Sequence, residues 1–345
     1  MAESNKEIKC VIWDLDHTIW DGILLESDNV KLKPGIEDVI KTLDSRGILH
    51  SIASRNEAEF AIAKLKELGI EEYFIYPEIN WNAKSLSVEN IRKNINIGMD
   101  AILFVDDQPF EREEVQSAHP EVTVIDAVEY LSLPDMKRLN PRFITKDSQR
   151  RRLMYMDDIK RKIEEEEFQG PPEVFLASLN MRFVIHDAVE EDLKRAEELT
   201  VRTNQLNATG RTYDYDELNE FRVSDKYKLL ICELTDKYGS YGKIGLALVE
   251  LKEEYWHLRL LLMSCRVMSR GVGTVLMSHI MQECKKAGKK LLADFKHTKR
   301  NRMMYVSYKF SNFKEVSSDG EGNITFENDL SMIQPFPPYI DVKIL

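Results

Sequence analysis

Residues 10–18 read CVIWDLDHT, four apolar residues followed by Asp14, Asp16 and Thr18. The apolar run predicts a buried β-strand, and carboxylates at positions i and i+2 of a strand point to the same side. The two charges would repel each other unless a cation lay between them, and carboxylate oxygens suit Mg²⁺, which also recruits substrate phosphates. One carboxylate could then attack phosphorus while the other moves the proton of the leaving group. An acidic pair that merely ends a strand in solvent is the alternative.

Three later segments place polar groups where such a site needs them. Ser54 follows an apolar stretch and precedes a predicted helix, and a hydroxyl beside free N–H groups there forms an anion site. Lys84 also leads into a predicted helix and could neutralise a transferring phosphoryl group. Asp106 and Asp107 follow the apolar stretch 101–105, where further metal ligands would be wanted. In open α/β sheets such groups meet outside the carboxyl ends of the strands, so the sequence predicts a phosphoryl-transfer site at that edge.

This order of acidic pair, serine, lysine and second acidic pair resembles the haloacid dehalogenase superfamily of phosphohydrolases. The resemblance implies that Asp14 is the phosphoryl-accepting nucleophile and that Asp16 is the general acid and base. It further implies phosphate contacts from Thr18 and Ser54, charge stabilisation by Lys84, and Mg²⁺ ligands from Asp14, the Asp16 backbone carbonyl, Asp106 and Asp107.

The spacing of these motifs limits what can cover the site. Too few residues separate Thr18 from Ser54, or Ser54 from Lys84, to form a large cap domain. Only a small flap at Trp20-Asp21-Gly22 remains. The first half is therefore expected to be a Rossmann-like α/β domain with a minimal cap, which favours a bulky or protein-borne substrate.

Length and composition set the broader expectations. A chain of 345 residues exceeds one comfortable core, so two domains are expected. The net charge of −11 disfavours nucleic-acid binding, and the absence of a long apolar segment disfavours a membrane partner. Four cysteines at scattered positions favour reduced thiols and a cytoplasmic location. Residues 1–147 are predicted to form the first domain, 148–172 a helical connector ending at Gly170-Pro171-Pro172, and 173–345 the second domain.

The second half contains a predicted strand over 256–267, a turn at Gly271-Val272-Gly273 and a helix. This arrangement, with the helix expected over 303–310, resembles the acyl-CoA-binding core of the GCN5-related N-acetyltransferase (GNAT) fold, an α+β fold. The resemblance implies that Gly271 and Gly273 help to hold pantetheine phosphates at the helix N-terminus. Met268 stands where that fold usually has Gln or Arg, which favours a single phosphate, as on a carrier protein's phosphopantetheine, over a pyrophosphate.

Both halves together resemble a narrower family, the FkbH-like proteins. The motifs are WDLDHTIWDG at 13–22, VDDQPFEREEV at 105–115, RTNQLNATGR at 202–211 and SCRV at 264–267. The resemblance implies an enzyme that takes a glyceryl group from 1,3-bisphosphoglycerate, removes phosphate with Mg²⁺, and loads the glyceryl unit onto an acyl carrier protein. Such enzymes serve polyketide or mixed peptide–polyketide biosynthesis.

Acyl transfer to a carrier thiol benefits from an enzyme thioester. Cys265 follows the long strand, just before the glycine turn, and is the predicted nucleophile; His297, past the next strand, is its predicted base. A buried structural cysteine and a structural histidine are the alternatives. Substrate binding is predicted for Asn204, Gln205 and Arg211, although a capped helix end would also explain this polar run.

Three other functions remain open from the sequence. The first is a small-molecule phosphatase whose second domain only docks a partner. The second is a carrier-protein-binding scaffold with an inactive phosphatase half. The third is a CoA-dependent N-acetyltransferase, against which Met268 argues.

Overall fold

The computed structural model describes residues 6–345, and its contacts divide the chain into two units, Met1–Met156 and Asp157–Leu345. The division lies inside a long helix, Arg151–Glu167, rather than at Gly170-Pro171-Pro172. Arg152, near the start of this helix, pairs with Asp44 of the first unit. None of the described helices is both long enough and apolar enough to cross a membrane.

The first unit contains a parallel sheet, a small flap and surrounding helices. Its strands are β1 (Cys10–Trp13), β2 (Trp20–Asp21), β3 (Lys31–Leu32), β4 (Leu49–Ser54), β5 (Glu78–Ile79), β6 (Ile102–Asp106) and β7 (Thr123–Asp126). Its helices are α1 (Ile36–Ser45), α2 (Ala58–Glu67), α3 (Lys84–Ile95), α4 (Pro109–Ala118) and α5 (Lys146–Gln149), followed by α6 (Arg151–Glu167), which contains the division.

The main sheet of the first unit has the order β5-β4-β1-β6-β7, and its strands are parallel throughout. β1 is central and fully buried, which explains its uninterrupted apolar sequence. Trp13, its last residue, lies level with Ile52 of β4 and Val105 of β6. The residues that follow therefore emerge at one edge of the sheet, as the motif order predicted.

β2 and β3 pair with each other as an antiparallel flap between β1 and α1. No other sheet or helix lies in that interval. The Rossmann-like domain with a minimal cap is thus confirmed.

The second unit is built on a mixed sheet of the order β13-β14-β12-β11-β10-β9-β8-β15. Its strands are β8 (Met181–Asp187), β9 (Tyr227–Asp236), β10 (Gly239–Leu251), β11 (Tyr255–Met263), β12 (Lys290–Lys296), β13 (Lys314–Ser318), β14 (Asn323–Asn328) and β15 (Ile340–Ile344). Its helices are α7 (Pro172–Ser178), α8 (Leu193–Arg202), α9 (Tyr215–Val223), α10 (Val272–Lys286) and α11 (Arg302–Phe310).

Apolar side chains from both faces of this sheet are buried. One face packs against α7, α10 and α11, and the other against α8 and α9. The α+β class predicted for the second half is confirmed. The sequence did not predict α7, α9, β13 or β15. It also extended β11 to Val267, whereas the strand ends at Met263 and a 3-10 turn follows over Cys265–Val267.

β11 and β12 pair only over their first residues. Residues 206–208 lie in the gap between the remaining parts of the two strands. The N–H of Met263 donates to the carbonyl of Leu206 at 2.9 Å, and the N–H of Lys296 donates to the carbonyl of Ala208 at 3.0 Å. The buried amide of Asn301 also donates to the Ala208 carbonyl. This short stretch therefore acts as an extra strand that joins the two diverging strands.

Candidate active site

Three carboxylates converge at the carboxyl edge of the first sheet. Asp14, Asp106 and Asp107 each offer an oxygen atom, and these atoms all lie within 4.8 Å of one another. Burial raises the pKa of Asp106 to about 6, against the lowering effect of Lys84 and with a further rise from Asp14. One carboxylate oxygen of Asp107 is buried without a hydrogen-bond partner in the described part of the chain. Crowded carboxylates with an unsatisfied oxygen fit a divalent cation, and their hard oxygen ligands suit Mg²⁺.

Lys84 is the first residue of α3, and its ammonium group lies between two of these carboxylates. Nζ is 2.8 Å from Oδ1 of Asp14 and 2.5 Å from Oδ2 of Asp106. The residue is only 3% exposed. Burial by itself lowers the pKa of Lys84, but the two carboxylates raise it above its usual value, so the side chain is a fixed cation beside Asp14.

Asp16 does not belong to the carboxylate group. One of its oxygens accepts hydrogen bonds from the indole N–H of Trp20 at 2.8 Å and from the N–H of Leu24 at 3.0 Å. The other oxygen accepts from the side-chain amide of Asn56 at 3.1 Å. The expected Asp14–Asp16 pair around a cation is thus replaced by Asp14 with Asp106 and Asp107. The reason is that β1 ends at Trp13, so strand alternation does not extend to Asp16.

The hydroxyl groups predicted to contact phosphate lie at the same edge. Thr18 is buried, and its Oγ1 has no hydrogen-bond partner among the residues described. Ser54 is buried at the end of β4. The phosphate contacts that the resemblance implies for these two residues stay predictions, and the orphaned hydroxyl of Thr18 is the kind of group that a ligand would satisfy.

Two further residues of the site were not assigned a role from the sequence. Asn56 is buried, accepts from the N–H of Glu57 and orients Asp16. Its position two residues after Ser54, at the same strand end, could have predicted that it belongs to the site. Glu114 accepts from the N–H of Ser85 at 3.0 Å and so fixes the first turn of α3, which carries Lys84. Because this contact joins residues far apart in the sequence, no local sequence pattern could have predicted it.

The four cysteines differ in burial. Cys10, Cys232 and Cys284 are buried, and burial raises the pKa of each thiol, that of Cys284 to about 11. Cys265 alone is half-buried, in the 3-10 turn after β11. The more accessible thiol is therefore the one predicted to be the nucleophile.

The structure does not support His297 as the partner of Cys265. The backbone N–H of His297 donates to Gly322 at 2.7 Å, and its ring lies edge-to-face with Phe295 at 6.3 Å. Residues 206–208 lie between the strands that the two residues follow, so these strand ends are about two strand spacings, roughly 10 Å, apart.

The other predicted residues of the second unit fall into separate places. Asn204 is exposed and Gln205 half-buried, immediately before the stretch that fills the gap in the sheet. Arg211 is exposed, with Nη1 4.0 Å from Oδ2 of Asp294 on β12. The sequence grouped these residues, and Arg211 lines a cleft of the unit together with Asp294.

Gly271 immediately precedes α10, and Gly273 lies in the first turn of that helix. Gly271 has a φ of 81°, a conformation that favours glycine, and a Cβ there would lie 2.7 Å from the hydroxyl of Tyr339. Gly273 faces open space. Tyr339 therefore covers one of the two predicted phosphate-binding glycines.

Comparisons with known proteins agree with the geometry of the first unit. Residues 21–113 match the family of haloacid dehalogenase-like hydrolases, a stretch that includes Ser54, Lys84, Asp106 and Asp107 but begins after Thr18. The chain thus contains a haloacid dehalogenase-like hydrolase domain. No protein with a curated function matches it.

Solved structures resemble each half. The N-terminal part of protein BF1531 from Bacteroides fragilis, which contains a phosphatase domain complexed with Mg, is 32% identical over 37% of this chain and 39% of its own, with a TM-score of 0.33. A HAD-superfamily hydrolase from Ehrlichia chaffeensis is 16% identical over 35% of this chain and 87% of its own, with a TM-score of 0.30. The ribosomal-protein-S18-alanine N-acetyltransferase from Escherichia coli is 17% identical over 44% of this chain and 95% of its own, with a TM-score of 0.35.

Proposed function

We propose that this protein is a Mg²⁺-dependent phosphatase and acyltransferase that takes a glyceryl group from 1,3-bisphosphoglycerate and loads it onto an acyl carrier protein. The observation that carries the phosphatase half is the buried Lys84 between Asp14 and Asp106, with Asp107 beside them. The acyltransferase half rests on the accessible Cys265 and on the resemblance to FkbH-like proteins. The pathway proposed is polyketide or mixed peptide–polyketide biosynthesis.

In the phosphatase reaction, a carboxylate oxygen of Asp14 attacks phosphorus and forms an aspartyl phosphate. The bond from phosphorus to the leaving oxygen breaks, and Asp16 gives that oxygen its proton. A water molecule deprotonated by Asp16 then releases inorganic phosphate and restores Asp14. Lys84 stabilises the charge of the transferring group. Mg²⁺ held by Asp14, Asp106 and Asp107 would neutralise further charge on the phosphoryl oxygens.

In the acyl transfer, the thiolate of Cys265 attacks the carbonyl carbon of the acyl phosphate. A carbon–sulfur bond forms, the carbon–oxygen bond to phosphate breaks, and phosphate leaves with the bonding electrons. The thiol of the carrier protein's phosphopantetheine arm then attacks the thioester carbon and displaces the Cys265 thiolate.

Intact-mass analysis of the full chain with the carrier protein, Mg²⁺ and enzymatically generated 1,3-bisphosphoglycerate tests this function. The expected result is a carrier protein heavier by one glyceryl unit, and the loss of that product with Cys265→Ala. Cys284→Ala is the matched control, because its thiol is buried against the backbone of Lys289 and Lys290. A glyceryl-carrier product that persists with Cys265→Ala would contradict the thioester step.

A second candidate is a small-molecule phosphatase whose GNAT-like unit only docks a partner. It is favoured by one observation, that the carboxylates and Lys84 needed for phosphoryl transfer are assembled at one edge of the first sheet. Release of phosphate without any acyl adduct on the enzyme would support it.

A CoA-dependent N-acetyltransferase is less well supported. The residue argument against it is Met268, which stands where that fold usually has a Gln or Arg to bind the pyrophosphate of CoA.

A further inference from the structure

A polar cleft lies over β12 and β14 in the second unit, and Cys265 is not among the residues that line it. Its volume is about 230 Å³. The side chains that line it include Thr209, Arg211, Asp294, Lys296, Asn323 and Thr325. Neither half-reaction proposed above assigns it a role.

Asp294 is a fixed anion at the floor of this cleft. Nε2 of His257 donates to one carboxylate oxygen at 2.8 Å, and Nη1 of Arg259 donates to the other at 3.1 Å. His257 is only 7% exposed, and its second ring nitrogen has no described partner, so its polar contacts are all made around Asp294. Burial raises the pKa of Asp294, but His257 and Arg259 lower it more, so the net pKa lies below the usual value and the carboxylate is ionised.

Two cations stand beside this anion. Nη1 of Arg211 lies 4.0 Å from Oδ2 of Asp294, too far for a direct hydrogen bond, and its side chain is about half exposed. Lys296, at the end of β12, also lines the cleft and is exposed. Asp294 is already engaged by His257 and Arg259, so the two side chains retain most of their capacity to donate to a ligand.

The cleft therefore presents two cations, two carboxylates and several neutral polar groups within a small volume. The second carboxylate, Asp319, accepts hydrogen bonds from the backbone N–H groups of Glu321 and Asn323 and from the side-chain amide of Asn323, so it is engaged within its own turn.

A ligand that fits this set has an anionic end for Arg211 and Lys296 and a hydroxyl group that donates to Asp294. We infer that this cleft binds a small hydroxylated anion, a hydroxy acid or its phosphate ester. The ligand class follows from the charged groups of the cleft alone. The further assignment of this cleft as the binding site for the glyceryl group of the acyl substrate rests on the proposed function.

Isothermal titration calorimetry on the full chain tests the inference, with D-glycerate, 3-phosphoglycerate and propionate as probes. The Asp14→Asn variant is used without Mg²⁺, so that a phosphoryl reaction at the first site is removed. D-Glycerate and 3-phosphoglycerate are expected to bind at least tenfold more tightly than propionate, which has no hydroxyl group. Tighter binding of one of the two hydroxylated probes identifies a carboxylate or a phosphate as the preferred anion.

Variants then locate the binding. Lys296→Met is expected to weaken D-glycerate binding about tenfold, the size of one charge-assisted hydrogen bond. Lys290→Met is the matched control, because it changes a lysine at the other end of β12 that does not line the cleft. Asp294→Asn should remove the preference for D-glycerate over propionate, and His257→Gln, which keeps a donor toward Asp294, should retain it.

Equal binding of D-glycerate and propionate, no binding of either hydroxylated probe, or equal effects of the two lysine variants would overturn the inference. Circular dichroism of each variant shows that it is folded. The titrations need neither a phosphoryl reaction at Asp14 nor an acyl adduct on Cys265. The outcome of the titrations is therefore separate from that of the carrier-loading experiment.

Discussion

The ammonium group of Lys84 lies 2.8 Å from Oδ1 of Asp14, and both side chains are buried. A lysine in this position supplies a permanent positive charge at the proposed nucleophile. Lys84→Met should lower the rate of phosphate release from a phosphomonoester about 100-fold and destabilise the first unit by about 3 kcal/mol, because the carboxylates lose their buried partner. Initial rates and urea unfolding measure both effects.

Lys93→Met is the control for this change, since Lys93 lies on the same helix and pairs only at the surface with Glu89. It should leave both quantities nearly unchanged. Equal losses in the two variants would show that the charge beside Asp14 has no special role.

The cluster of Asp14, Asp106 and Asp107 predicts that Asp107→Asn changes the melting temperature in opposite directions, relative to the wild type, without and with Mg²⁺. Asp107→Asn removes one of three clustered charges, and burial and then Asp14 raise the pKa of Asp107. Without Mg²⁺ the variant should therefore melt at a higher temperature than the wild type. Addition of Mg²⁺ should raise the melting temperature of the wild type and have little effect on the variant. Differential scanning calorimetry, with Asp28→Asn at an exposed position as control, decides the point. A variant that Mg²⁺ stabilises as much as it does the wild type would argue against Asp107 as a ligand.

The flap is tied to Asp16 by the indole of Trp20 at 2.8 Å. Trp20→Phe keeps the buried ring but deletes this donor, so phosphate release should fall about tenfold, with a loss of about 1 kcal/mol in stability. Trp81→Phe is the matched control, because its indole donates to Glu57 at the exposed surface. Steady-state kinetics in which both variants behave alike would exclude a role for the Trp20 bond.

His50 makes the stability of the first unit sensitive to pH. Its ring accepts from the indole of Trp13 and donates to the Ile40 carbonyl, and burial lowers its pKa from 6.5 to about 3. The unfolded chain takes up a proton on His50 below pH 6.5, whereas the folded unit does so only near pH 3. Stability from this residue is therefore complete above pH 6.5 and is lost as the pH falls, by about 2 kcal/mol at pH 5.

His50→Gln preserves an acceptor and a donor without a group that titrates in this range. Urea unfolding at pH 7.5 and pH 5 should show a smaller difference for the variant than for the wild type. Identical differences would mean that other groups dominate the pH dependence.

The sequence predicted where the polar side chains of the first unit's site lie because each motif follows a strand of one parallel sheet. Parallel strands present their carboxyl ends at the same edge, so Asp14, Ser54 and Asp106 meet there without detailed knowledge of packing. The partners of Asp16 were not predictable in this way, since they depend on the turn that follows β1.

The second unit was harder to read because its site residues depend on contacts between distant segments. Cys265 and His297 follow neighbouring strands in the sequence pattern, which suggested a pair. Nothing in the local sequence of residues 206–208 shows that they insert between those strands. Similarly, Asp294 and Arg259 form an ion pair only because β11 and β12 lie side by side, which their separate positions in the sequence do not show.

In the proposed reaction, the hydrogen bond from Trp20 to Asp16 would couple the position of the flap to proton transfer. A flap that swings outward to admit a substrate must release the carboxylate, and Asp16 regains its orientation only when the flap returns. A substrate that props the flap open would thus be held but not turned over, so selection among substrates would be exerted through the turnover number more than through affinity.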